Sequence, residues 1–151
     1  MQEEPLLKKR KKIFMDGAIQ PGFISDSIAK HRAKIKIGAH DIFLGQVRGD
    51  TRDGKQVTGI EYSTYREMAE ATMHNIREQA FEKFNLECMH VYHSLGLVKT
   101  GEICLFVFVS SAHRQAAFDA SRFIVEKIKS GVPVFGKEIL EDTSYTWKKN
   151  T

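Results

Sequence analysis

The residues best placed to do chemistry gather in one stretch, SSAHRQAAFDASRFIVEKIK over 110–129. His113 and Arg114 open a predicted helix directly behind a very apolar run, ICLFVFV at 103–109. A helix N-terminus presents free N–H groups and the positive end of the peptide dipoles, so it attracts anions. An arginine there adds a planar fork that grips phosphate or carboxylate through two bonds. A plainer reading has equal weight here: Ser111 caps the helix, and His113 and Arg114 are simply exposed.

Helical phase adds to the first reading. At 100° per residue, Ala116, Ala117, Ala120, Phe123, Ile124 and Ile128 share a core face. Arg114, Phe118, Arg122, Val125 and Lys129 share a second arc about 80° wide. A stripe mixing three cations with Phe118 and Val125 suits a surface that meets something both apolar and anionic. Long cationic side chains snorkelling over apolar neighbours would give the same pattern.

Two further segments carry candidate groups. In FLGQVRG at 43–49, two glycines flank a strand end that brings Arg48 to the mouth of a loop. In PVFGKE at 133–138, Lys137 is a catalytic amine if burial lowers its pKa, and an ordinary solvated lysine otherwise. His31, His40, His74, His90 and His93 have no partners at informative spacing and read as structural, with His93 the most deeply placed. Cys88 and Cys104 lie in apolar, strand-like surroundings and read as packing residues. There is no CxxC and no histidine pair with zinc spacing, so no metal is expected.

Positioning these groups requires a specific order of elements. A short strand is expected over 13–19, ended by Pro21-Gly22, then a helix over 25–34 capped by Ser25 or Asp26. A strand over 35–48 is interrupted by Gly38 and Gly45, which suggests bulges or close backbone approach. Asp53-Gly54 marks a hairpin before an alternating strand over 57–65. Met68, Thr72, Ile76, Ala80 and Phe84 predict a helix over 68–84. Strands over 89–97 and 102–110 flank a tight turn at Lys99-Thr100-Gly101. A helix over 113–129, a strand over 134–140 and a polar tail with Trp147 complete the chain. Directly joined hairpins imply antiparallel pairs, so the fold class is α+β, a mostly antiparallel sheet covered by two long helices.

The chain of 151 residues is 42% hydrophobic and 28% charged, an ordinary globular composition that excludes disordered, collagen-like and coiled-coil chains. One domain over 1–151 is expected, with 1–11 a flexible basic lead-in and 141–151 a tail. No apolar run approaches the roughly 20 residues of a membrane-spanning helix, and the N-terminus lacks a secretory h-region, so a cytoplasmic protein is expected. A net charge of +4 favours an anionic partner without choosing one. The basic run over 8–12 reads as solvated. No GxGxxG or GxxxxGK[ST] follows a strand, which argues against dinucleotide and P-loop sites.

Five segments in this order, IFLGQVRG (42–49), GIEYSTYREMA (59–69), HSLGLVKTGE (93–102), SSAHRQAAF (110–118) and IKSGVPVFGKE (128–138), resemble the catalytic, large subunit family of molybdopterin synthase. The resemblance runs from about residue 12 to Trp147. It implies an α/β hammerhead fold and a homodimer within a heterotetramer. Each subunit would bind a small ubiquitin-like sulfur carrier through its C-terminal Gly-Gly thiocarboxylate. The implied activity is sulfur transfer to cyclic pyranopterin monophosphate, forming the dithiolene of molybdopterin, with no cofactor. By the same resemblance Gln46, Val47, Arg48, His113, Arg114 and Glu138 bind substrate, and Lys129 and Lys137 both bind it and act catalytically. The chain departs from the family where Phe135-Gly136 replaces the usual Trp-Lys and Ser94 replaces the arginine after His93. The alternative of another class is a non-catalytic basic RNA-binding domain, but the strands lack an RNP-like aromatic pair. Neither nucleic acid nor membrane is expected as a partner.

Overall fold

A computed structural model describes residues 12–149. The elements are β1 (Phe14–Asp16), α1 (Pro21–Ala29), β2 (Ala39–Gln46), β3 (Thr51–Arg52), β4 (Lys55–Thr64) and α2 (Arg66–Lys83). They continue as β5 (Cys88–Lys99), β6 (Ile103–Ser111), α3 (Arg114–Gly131), β7 (Val134–Leu140) and β8 (Tyr145–Trp147). The strands form one sheet in the order β2-β6-β5-β4-β7-β8, with β1 beside β5 and β3 beside β4. Among the described residues, β1 and β5 are the only strand pair that runs parallel. The expected α+β class is found. The basic lead-in expected over 1–11 lies outside the described residues.

Alternation along β6 explains the layering. Leu105, Val107 and Val109 join the main core with Ala117, Ala120 and Ile124 of α3 and Ala69, Met73 and Ile76 of α2. Phe106 and Phe108 turn to the other face, where Phe23 and Ile24 of α1 cover them. A strand buried on both faces needs apolar residues at every position, hence its unbroken apolar run. β5 changes partners along its length: Cys88 to His93 pair with β6, and Gly96 to Lys99 pair with β4. The change falls at Gly96, whose φ of 82° suits glycine.

Several boundaries differ from expectation for identifiable reasons. Pro21-Gly22 opens α1 instead of closing a strand, because proline at the first helical turn gives up an N–H that has no intrahelical partner there. The core stripe of α2 is Ala69, Met73, Ile76 and Ala80, while Met68 is 60% exposed. Strict four-residue steps drift about 40° each from a 3.6-residue period; mixed steps of four and three do not. In β4 a register shift between Val57 and Gly59 reverses the alternation, so Val57 and Ile60 are both buried. The tail holds β8, paired to β7 through Lys137 and Trp147. Asp53-Gly54 forms its hairpin with φ of 51° and 78°. Among the described residues no helix is long and apolar enough to cross a membrane.

Candidate active site

α3 ends at Gly131, and Pro133 turns the chain back into β7, leaving a cavity of about 430 Å³ between the helix end and the sheet. Tyr62, His93, Lys129, Gly136, Trp147 and Lys148 line it. Lys129 lies in the last turn of α3, where the helix dipole favours a cation. Burial first, then the charge of Lys148, nevertheless push its pKa below the ordinary lysine value, with Cys104 acting in the opposite direction. A depressed ammonium releases its proton more readily and becomes a nucleophile or base.

His93 Nδ1 lies 2.8 Å from the Ser94 carbonyl, which can only accept, so the neutral ring carries its proton there and leaves Nε2 as an acceptor. Burial lowers the His93 pKa to about 4, and Lys129 pushes the same way against the Ser94 bond. The ring is neutral at pH 7. Tyr62 meets it edge-on at 5.0 Å. Burial, then Cys104 and Glu138, raise the phenol pKa, keeping its O–H. Among the described residues no carboxylate lines the cavity. Its chemistry therefore suits an anion and proton transfer beside it.

Of the catalytic and substrate-binding residues expected from sequence, only Lys129 lines this cavity. Lys137 does not: its Nζ lies 3.7 Å from Glu61 Oε1 and 4.5 Å from the centre of the Tyr145 ring. Glu138 is buried and accepts two bonds from Arg52, at 3.1 and 3.3 Å, fastening β7 to the β3 hairpin. The Val47 side chain is buried, and its backbone bonds Glu102 and Gly101, so it can offer a ligand little beyond shape. Gln46 and Arg48 are exposed, and Arg48 pairs with Asp50 at 3.2 Å. Cys104 links that strand end toward the cavity by donating to the Gly45 carbonyl at 3.4 Å.

His113 and Arg114 are exposed at the far end of α3, about 22 Å along the axis from Lys129. Ser111 does not cap the helix. Its hydroxyl donates to the His113 carbonyl at 2.6 Å, and the helix has no side-chain cap. The first-turn N–H groups are thus not taken by a capping side chain.

Sequence reasoning missed Tyr62, Trp147 and Lys148. The Lys148 N–H bonds the Gly136 carbonyl at 2.8 Å, setting its side chain beside the glycine. A Cβ on Gly136 would come within 3.0 Å of Ile60 Cγ2 and 3.5 Å of Lys148 Cβ. The room a residue-136 side chain would start from is already shared with Lys148. Ser94 is fully buried, and its hydroxyl has no partner among the described residues.

The structure is a mostly antiparallel α+β sheet with, at the end of a helix, a cavity lined by two lysines, a histidine and a tyrosine. Comparison with known proteins makes this specific. The family profile described as MoaE protein matches residues 19–131. The molybdopterin synthase catalytic subunit of Thermoplasma volcanium is 41% identical over 73% of this chain and 80% of its own length. The human protein of that name is 38% identical over 75% of this chain, which spans 59% of it. Molybdopterin synthase from Staphylococcus aureus superposes with a TM-score of 0.77 at 29% identity, covering 90% of this chain and 95% of that one. The chain belongs to the MoaE family.

Proposed function

We propose that this chain is the catalytic subunit of a molybdopterin synthase, moving sulfur from the C-terminal thiocarboxylate of a small ubiquitin-like carrier onto cyclic pyranopterin monophosphate in the cytoplasm. The observation that carries this reading is Lys129, a lysine of lowered pKa in a cavity that also holds a neutral histidine and a protonated tyrosine. The thiocarboxylate sulfur bonds to a pterin carbon, displacing its oxygen substituent and giving a thioester. Water then attacks the acyl carbon and the acyl C–S bond breaks. Sulfur stays on the pterin and the carrier leaves as its carboxylate, so negative charge grows on oxygen and sulfur along the way. Lys129 and Lys148 stabilise that charge, and Lys129 in its amine form can take a proton or the acyl group. Arg48 and Arg114 supply cations for the cyclic phosphate, and His113 and Gln46 supply hydrogen-bonding groups. In this reading Lys148 takes the part that a lysine at 136 would play.

A fold neighbour from Helicobacter pylori is a protein–protein complex of subunits 1 and 2 of molybdopterin-converting factor, at 18% identity and a TM-score of 0.77. For this chain the proposed assembly is a homodimer carrying two small carrier subunits. The relatives favour this reading and give RNA binding no support.

The purified chain with a thiocarboxylated carrier should convert cyclic pyranopterin monophosphate to molybdopterin. Lys129→Ala should lower the rate by about 10²-fold or more at unchanged melting temperature, the scale of a lost acid–base group. Lys148→Ala should slow conversion more than Lys137→Ala. A Lys129→Ala protein of undiminished rate would exclude this site, and an inactive wild type would exclude the function.

A further inference from the structure

The face of the sheet under α1, opposite the Lys129 cavity, holds a second group of reactive side chains. Cys88 and His90 stand two residues apart on β5 and so project to the same face. His31, just past the end of α1, folds over Phe108 at 4.8 Å between ring centres. Its Nε2 lies 3.2 Å from His90 Nε2. The ligand atoms of His31, Cys88 and His90 all fall within 4.8 Å of one another.

This is an organised arrangement. His31 Nδ1 is 2.7 Å from the Ser27 carbonyl, which can only accept, so the neutral ring is held with its proton on Nδ1 and its lone pair on Nε2, toward His90. Metal-binding histidines are typically fixed by such an outer bond. Lys34 Nζ lies 3.0 Å from Cys88 Sγ, a positive charge able to offset that of a coordinating thiolate. Cys88 is an unpaired, buried thiol. A tetrahedral centre with metal–nitrogen bonds of about 2.0–2.1 Å and a metal–sulfur bond of about 2.3 Å separates its ligand atoms by about 3.3–3.6 Å. The two histidine nitrogens, 3.2 Å apart, are near that spacing already, and the sulfur, within 4.8 Å of both, needs a shift of at most about an ångström.

We propose that His31, Cys88 and His90 form a binding site for one borderline-soft divalent ion of the zinc type, with water in the fourth position. Two imidazoles and a thiolate suit such an ion and suit magnesium or calcium poorly, since those take oxygen ligands. His90 is only partly buried, which leaves solvent a path to the fourth position. The ion would tie the end of α1 to β5.

The test is titration of the full chain with Co²⁺, followed by displacement with Zn²⁺. One Co²⁺ per chain should bind, with a near-ultraviolet thiolate-to-cobalt charge-transfer band that Zn²⁺ abolishes, and Zn²⁺ should raise the melting temperature. Cys104→Ser should keep the band and Cys88→Ser should lose it. His90→Gln leaves the thiol in place and should weaken binding by more than the about 10–100-fold that outer-shell changes cost. Circular dichroism of each variant would establish that it is folded. Absence of the band in the wild type, its survival in Cys88→Ser, or unchanged affinity in folded His90→Gln would overturn the site. None of these readouts depends on sulfur transfer.

Discussion

His93 shows how one buried side chain ties the cavity to stability. Its pKa of about 4 in the folded state lies below the ordinary 6.5. Between these values the unfolded chain binds a proton that the folded protein refuses, so stability present above pH 6.5 is lost on acidification toward pH 4. The full loss is about 3 kcal/mol at 1.36 kcal/mol per unit. Denaturant melts of wild type and His93→Gln from pH 7 to 4 should diverge, with the variant flatter. At this scale the sequence was partly legible. Helical phase placed Lys129 on a mixed cationic and apolar stripe, because a 100° step relates near neighbours on one helix, and the family resemblance supplied its expected role. His31 and His90 did not, because they are 59 residues apart and meet only when α1 folds over the sheet. Lys137 follows from the PVFGKE segment and the family resemblance, whereas Lys148 carries no signal in the tail and reaches the cavity only through the β7–β8 pairing.

Elements were read most reliably where period and punctuation agreed. The β5–β6 hairpin, α3 and β7 fall within a few residues of their expected places. Errors arose where a local signal has two meanings: Pro-Gly ends strands but also starts helices, and a bulge in β4 swaps faces without any mark in composition. Gly38 shows a signal read correctly. It was expected to mark close backbone approach, and a Cβ there would collide with the Ala112 carbonyl, next to the bond from the Gly38 N–H to the Ser111 carbonyl at 2.9 Å. Gly38→Ala should therefore destabilise by about 1–3 kcal/mol through overpacking, measurable as a lower denaturant midpoint at unchanged slope.

Across the whole molecule, Arg114 and Lys129 fall at the two ends of α3, too far apart for one small substrate to touch both within one chain. A two-fold dimer could place Arg114 of one subunit near Lys129 of its partner. Mixed subunits test this. Inactive Arg114→Ala and Lys129→Ala homodimers, after exchange verified by mass spectrometry, should regain activity through heterodimers holding one intact composite site. No recovery would put each site within a single chain. The helix predicted over 113–129 already implies this spacing at about 1.5 Å of rise per residue, but sequence does not show that the cavity lies where the two parts of the sheet meet.

β5, with Gly96 at its change of partner, has one more consequence. His93 belongs to the stretch zipped to β6, whereas Tyr62 and Gly136 belong to strands on the other side of the junction. The two walls of the cavity therefore hang from a single shared spine. Prising them apart means tearing the backbone ladder on one flank of that spine, and Gly96 is the joint at which a twist on one flank would turn the imidazole relative to the phenol.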